Sequence, residues 1–349
     1  MTNPLFKQIL DIAVYAPSGD NAQPWQFKID ENSIYLFNLP DRDTTLFNFR
    51  QRGSYIGHGA VIENIVIAAA AFGYMGNVKP FPGLSGCTAQ IMLEASGVKS
   101  DPLYTAIAAR ATNRKPYDKR PLDPNHRDAI CDSVTRYTDV GLKIKEGREE
   151  LESLARSVSL TERLVMENRS LHDSLYGMVR WSLKEEQARP GLYIKTMEFS
   201  LPQRALFKML RRWGLVRAMN AVGFSRAISK QTSQLYAASA AIGAIILKHG
   251  TDEEFLSAGR AFQRLWLTAT GLGLSVQPIT AIPYLAQRIF EGEARAFSPQ
   301  HIQLIREAYR NISQIFGLDH KENIAMLFRI GYDGIPSARS SKLPPNIII

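Results

Sequence analysis

Apolar and polar positions change period several times along the chain, and each change marks an element. The opening pattern predicts a helix over residues 4–15. The stretch 16–27, APSGDNAQPWQF, ends it, because Pro17, Ser18, Gly19 and Asp20 can hardly continue a helix. Short strands follow near 25–29 and 33–37, then a long apolar helix over about 55–72. A strand over 88–93 comes after the turn-rich KPFPGLSG. A short helix over 103–110 leads to the polar junction RATNRKPYDKRPL, and a helix over 124–137 precedes a strand over 142–146.

Residues 151–227 differ in character. Leu154, Val158, Leu164, Val165 and Leu171 keep helical spacing, Tyr176, Met178, Val179 and Trp181 extend the apolar surface, and KEEQARPG at 184–191 breaks it. Beyond the break, Phe199, Leu201, Phe207, Met209, Leu210, Trp213 and Met219 are interspersed with Arg204, Lys208, Arg211, Arg212 and Arg217. The pattern fits a helical cover over a neighbouring core; ordinary domain packing and a membrane-surface segment are the other readings. The alanine-rich AASAAIGAIILKHG then reads as a helix. A second long helix, a strand near 276–279, a helix over 299–316, a strand at AMLFRIG and the turn-rich GIPSARSSKLPPN complete the chain.

The two long helices echo each other. Residues 59–73 read GAVIENIVIAAAAFG and 259–273 read GRAFQRLWLTATGLG, each with glycines fourteen residues apart around a largely apolar helix. Val61, Ile65, Ala68 and Ala69 form one face; Phe262, Leu265, Trp266 and Ala269 form the other. Each helix exits through glycine towards a proline, Pro80 or Pro278. One supersecondary unit used twice, with a central helix pair shared by two halves, is the simplest arrangement; two unrelated core helices are the alternative.

Composition narrows the picture only slightly. With 349 residues, 45% hydrophobic and 21% charged, the chain suits about two globular domains or one large double domain. Cys87 and Cys131 are too few for a disulfide framework and read as reduced thiols. The absence of a signal pattern and of an uninterrupted apolar run of membrane length leads to the expectation of a cytoplasmic protein with no membrane partner. The formal charge of +9 is scattered in short groups without aromatic interleaving, which argues against nucleic acid and leaves a solvated surface or a local phosphate pocket.

Three segments carry candidate chemistry. Asn21 and Gln23 offer amides that donate and accept, an edge suited to a flat heterocycle such as a flavin. The same residues also fit an ordinary helix–turn–strand junction capped by Ser18. Arg110 and Arg114 lie four apart around Thr112 and Asn113, as two guanidinium forks and a hydroxyl that could clamp a phosphate. A solvated basic turn is the plain alternative. SARSSK, at 337–342, follows a strand ending near Arg329; Arg339 and Ser340 could meet the same phosphate, and Lys342 is expected to face water. GxGxxG, P-loop, HExxH, CxxC and GxSxG are absent, and the six histidines do not cluster as metal ligands. No metal is expected, and chemistry would have to come from a bound cofactor.

Together, APSGDNAQPWQF, RATNRKPY, TGLGLSVQP and FRIGYDGIPSARSSK resemble the nitroreductase superfamily of FMN-dependent α+β flavoproteins, closest to its single-chain duplicated branch with a helical lid. The resemblance implies two nitroreductase-like halves, 1–150 and 228–349, with mixed or antiparallel sheets packed around central helices and a lid insertion at 151–227. It implies that Arg110, Thr112 and Arg114 bind the FMN phosphate and ribityl chain. Ser18, Asn21 and Gln23 would line the isoalloxazine edge, Gln277 and Pro278 would pass beside the ring, and Arg329 and Arg339 would belong to the C-terminal element, Arg339 the better phosphate candidate. The Arg-rich element follows the Pro–Ser element here, opposite to the common order, as in the duplicated branch. One FMN per chain, in a monomer or homodimer, is the consequence.

The implied activity is NAD(P)H-dependent reduction of a nitroaromatic, quinone or other flat acceptor, with hydride taken at flavin N5 and no protein acid–base residue evident. A low-turnover FMN store beneath the lid is the alternative.

Overall fold

The computed structural model describes residues 4–348. Helix α1 (Pro4–Ala13) is followed by a turn, β1 (Trp25–Asp30), β2 (Ser33–Asn38), α2 (Arg52–Ala71), β3 (Tyr74–Pro80) and β4 (Cys87–Ala95). Next come α3 (Tyr104–Ala109), α4 (Pro124–Val134) and β5 (Val140–Lys145). A largely helical stretch contains α5 (Arg148–Val158), α6 (Leu160–Glu167), α7 (Arg169–Met178), β6 (Val179–Arg180), α8 (Leu183–Ala188), β7 (Leu192–Tyr193), α9 (Leu201–Met209), α10 (Trp213–Asn220) and α11 (Phe224–Ala237). The chain ends with β8 (Ala241–Leu247), α12 (Asp252–Gly271), β9 (Ser275–Pro278), α13 (Ala281–Phe290), α14 (Pro299–Phe316), β10 (Asn323–Gly331) and β11 (Ile347–Ile348).

Two sheets flank a central helix pair, giving a mixed α+β fold. The first sheet has the order β11-β1-β2-β4-β3 and is antiparallel except where β11 joins β1 in parallel. The second is antiparallel throughout, in the order β5-β8-β10-β9.

The glycines of the echo explain how α2 and α12 meet. A Cβ on Gly59 would lie 2.0 Å from Leu256 O, and one on Gly259 would lie 2.1 Å from Ile56 O. The contact is reciprocal, backbone against backbone, and only glycine allows it. The second glycines serve a different need: Gly73 and Gly273 follow the two helices at φ +79° and +72°, the left-handed exit that ends a helix. Buried Glu63 locks the crossing by accepting from Arg260 at 3.1 Å and Arg264 at 2.8 Å, and Gln263 donates to Asn64 at 2.7 Å. By length and composition the segment Phe49–Ala71 could cross a membrane, but 78% of its most apolar stretch is buried inside this fold. Its partners are α12, α1 and the first sheet.

One expectation is corrected. Ala241–Leu247, read as part of an alanine-rich helix, is the strand β8. It lies between β5 and β10 with both faces covered, so all seven residues are buried and no alternation survives in the sequence. Ile242, Ala244 and Ile246 face one core while Ala241, Ile245 and Leu247 face another. Gly243 makes room for the Phe328 ring, which a Cβ would meet at 2.3 Å. Strand β3, helix α13 and the tail strand β11 had no counterpart in the sequence reading.

The stretch 151–227 divides in two. Leu151, Leu154, Leu164 and Val165 of α5 and α6 share a core with Ile242, Ala244 and Ile246, so these helices are domain packing on the second sheet. The part from β6 to α10 supplies Gly191 and Thr196, which touch the residues singled out above.

Candidate active site

The turn after α1 is held in an unusual backbone form. Asp20, Asn21 and Gln23 have φ of 45°, 56° and 50°, a left-handed region that costs most L-residues energy and is easiest for Asn and Asp. Ser18 Oγ accepts from Gln23 N at 2.9 Å and stabilises the turn, though it does not cap the short 3-10 segment Gly19–Asn21. Leu343 N donates to Gln23 Oε1 at 2.9 Å, and Asn21 Nδ2 donates to Ser341 O at 3.1 Å and Gly191 O at 3.3 Å. The amide edge is thus contacted by the C-terminal tail and by the loop before β7.

Lys342 does not face water, as the sequence suggested. Its Nζ donates to Asn21 Oδ1 at 2.6 Å and Ala16 O at 2.9 Å. Burial pulls its pKa well down, the nearby Arg110 pulls further, and Glu186 offsets part of this. Arg110 emerges from the end of α3, lies over the Trp266 ring at 4.5 Å and donates to Tyr15 O at 2.7 Å. Burial, with Arg339 adding repulsion, lowers its pKa to about 9, and its Nε is buried without a partner. Arg339, more exposed, donates to Ala108 O at 2.9 Å.

Arg110 and Arg114 have different hydrogen-bond partners. Arg114 donates to Thr196 O at 3.1 Å and belongs to a second cluster, with Asp20, Tyr236, Tyr117 and Arg329. Arg329 is fully buried on β10, where the antiparallel register sets it opposite Gln277 on β9, and it donates to Gln277 Oε1 at 2.7 Å and Lys115 O at 2.8 Å. Its guanidinium stacks on Tyr117 at 3.8 Å, and Nη1 has no partner. Pro278 pairs with Phe328, and Thr112 bridges to Val276, which draws the arginine junction alongside β9. Asn113 ties that junction to Ser275 Oγ at 2.9 Å and Gly334 O at 3.0 Å.

Several of these residues were not anticipated. Asn113, Tyr117 and Lys342 sit inside quoted motifs and could have been weighed with their neighbours. Tyr236 and Glu162 had no signal: they lie in helices of mixed polarity, 74 residues apart, and meet at 3.4 Å. Burial raises Asp20 to a pKa of about 6, aided by Asp43 and opposed by Arg114; burial also raises Glu162 to about 7. The arrangement brings cations, amides and buried donors to one corner, fitted to a ligand with an anionic end and a polar planar body.

The family model described as "Nitroreductase family" matches residues 107–332, more than half of the chain, and the protein belongs to that family. An uncharacterised Mycobacterium tuberculosis protein, MT1398, is 24% identical over 283 residues, covering 80% of this chain. The chain spans only 39% of that relative's length. Rv3131 of M. tuberculosis, provisionally named an NAD(P)H nitroreductase, is 24% identical over 345 residues, 97% of this chain and 87% of its own. A Bacteroides fragilis nitroreductase crystallised with FMN aligns at 11% identity over 70% of this chain and 95% of its own, with a TM-score of 0.39, too low to bear on function.

Proposed function

We propose that this protein is an FMN-dependent oxidoreductase that moves hydride or electrons from NAD(P)H to a nitroaromatic, quinone or similar flat acceptor. The observation that carries this reading is the meeting of Arg110, Arg339 and Lys342 beside the Asn21–Gln23 edge, with Arg110 Nε buried and unpartnered. Cations crowded in a desolvated corner depress one another's pKa, a cost that an anion relieves. Family membership supports a flavin as the ligand.

In this reading Arg110, Arg339 and Lys342 hold the phosphate, and Thr112 and Arg114 hold the ribityl chain. Ser18, Asn21 and Gln23 line the isoalloxazine edge; Gln277 and Pro278 run beside the ring, with Arg329 fixing the Gln277 amide. Bound FMN supplies hydride-level redox chemistry, and the protein supplies position and electrostatics. The reciprocal crossing of α2 and α12 supports two nitroreductase-like halves, 1–150 and 228–349, in a chain that binds one FMN in the cytoplasm as a monomer or homodimer, with 151–227 as the insertion. A second reading, a low-turnover FMN store, is favoured by the hydrogen bonds from Gly191 and Ser341 that already occupy Asn21.

Titration calorimetry with FMN and riboflavin tests the phosphate corner. FMN is expected to bind at least about tenfold more tightly than riboflavin, since a charge-assisted phosphate contact is worth more than a neutral one. Arg110→Ala with Arg339→Ala should erase that preference in a folded protein. Equal affinity for both flavins would reject the assignment. Anaerobic mixing of the FMN-loaded protein with NADH or NADPH separates the readings: rapid bleaching supports turnover, and none, with dithionite still effective, supports storage.

A further inference from the structure

A second polar concavity lies outside the corner described above. It is a furrow of about 890 Å³ between α5 and α11, closed at one end by the start of α6. Six cationic side chains line it, Lys119, Arg148, Arg156, Arg163, Arg226 and Lys230, against the single carboxylate of Glu152. Arg148 is engaged with Ala237 O and Arg163 with Glu167. Lys119, Arg156, Arg226 and Lys230 have no side-chain hydrogen bond or ion pair among the described residues. More than half of the chain's net charge of +9 is therefore concentrated in one furrow.

The helix ends contribute little to this field, because Glu149 and Glu150 occupy the first turn of α5, and α6 has its N-cap at Ser159, where α5 ends. Ser159 and Ser229 hold their hydroxyls 3.5 Å apart and donate to Arg156 O and Ser159 O respectively, while Ser233 adds a further hydroxyl to the lining. The spacing follows from helical geometry: Arg148, Glu152 and Arg156 repeat every four residues on α5, and Arg226, Lys230 and Gln234 do so on α11.

We propose that this furrow is a second binding site, for a compact polyanion carrying consecutive phosphate groups. The lining contains no aromatic residue, which removes the stacking platform that a nucleobase or single-stranded nucleic acid needs. Its apolar surface comes from Leu160, Ala237 and Ala238, too little to hold a flat hydrophobic ring. Cations spread over α5, α6, α11 and the loop at Lys119 match a row of charges rather than one, and the Ser233 hydroxyl adds a neutral donor. No lining residue is shared with the Arg110 corner, so the proposal does not depend on the flavin reading.

Calorimetry of the full chain, loaded with FMN where it binds, tests the site with inorganic tripolyphosphate, pyrophosphate and orthophosphate. Affinity should rise with the number of phosphates and fall at least tenfold between about 50 and 200 mM salt. The triple variant Arg156→Ala, Arg226→Ala, Lys230→Ala should lose about tenfold or more in tripolyphosphate affinity while flavin content is unchanged. If that variant melts abnormally, the milder pair Arg226→Gln and Lys230→Gln should still lose several-fold. ATP should bind no more tightly than tripolyphosphate, because only the phosphates are held. Absence of tripolyphosphate binding at low salt, binding that survives these substitutions, or equal affinity for one and three phosphates would each overturn the proposal.

Discussion

Glu162 and Tyr236 show what burial does to single groups in this protein. Tyr236 Oη donates to Glu162 Oε1, and Glu162 Oε2 has no partner and no solvent. Burial favours the neutral acid and lifts its pKa from 4.5 to about 7. Between those values the folded chain binds more protons at this site than the unfolded chain. The group's contribution to stability is therefore present below pH 4.5, falls as pH rises, and is lost above about 7. Glu162→Gln removes the titration. Relative to the wild type, the variant should gain on the order of 2 kcal/mol on going from pH 5 to pH 8, read by urea melts at each pH. A constant difference across the range would show that Glu162 titrates normally. His58 acts in the opposite sense: burial lowers its pKa to about 4, so its contribution is present above 6.5 and is lost as pH falls towards 4. Its ring nitrogens lie 2.8 Å from Pro24 O and from Thr88 Oγ1, which suits a neutral imidazole donating from Nε2. Comparison with Glu162→Gln isolates the carboxyl from this background.

At the scale of elements, what the sequence reveals depends on whether one face of an element meets water. Helix α1 buries Phe6, Ile9, Leu10 and Ala13 and leaves its other side mostly outside, so its period was readable. Strand β8 is covered on both faces, and its apolar run carries no period to read. The echo was legible because close helix crossing and left-handed exit both demand glycine, and each helix needs both. The crossing gives a sharp expectation. Gly59→Ala sets a methyl 2.0 Å from Leu256 O, so α2 and α12 must separate and the Glu63 and Asn64 contacts stretch. Overpacking of this kind costs about 1–3 kcal/mol and occasionally more, and backbone on both sides leaves no side chain to yield. Gly259→Ala should match it, while Gly271→Ala, with nothing within 4 Å, should stay within about 0.5 kcal/mol of wild type. Equal melting curves for all three variants would show that the helices do not meet as described.

Across the whole molecule, the site is assembled from segments far apart in sequence, and this is where reading the chain stopped short. Asn21 meets Ser341 across 320 residues, and Gln23 meets Leu343 across the same separation, through backbone groups that carry no sequence signature. The tail reads as turn-rich, with SARSSK as candidate phosphate chemistry and no strand, yet β11 pairs Ile347 with Phe27 and anchors it on the first sheet. Between anchor and site, Glu186 of α8 accepts from both the amide and the hydroxyl of Ser341, and Glu198 accepts from Ser337 N at 2.7 Å. These bonds clasp the tail to the segment around β7 across the Asn21–Gln23 edge, and under the proposed flavin reading the clasp would limit access to the ring. Glu186→Gln keeps the shape but removes the charge, weakening two charge-assisted bonds that are each worth roughly 1.5–3 kcal/mol. In the FMN-loaded protein, iodide quenching of flavin fluorescence and the rate of anaerobic reduction by NAD(P)H should both increase several-fold. Ser341→Ala, which removes one of the two bonds, should give a smaller increase in the same direction. Faster quenching without faster reduction would mean that the clasp shields the flavin while nicotinamide is excluded elsewhere, and the storage reading would then gain over turnover.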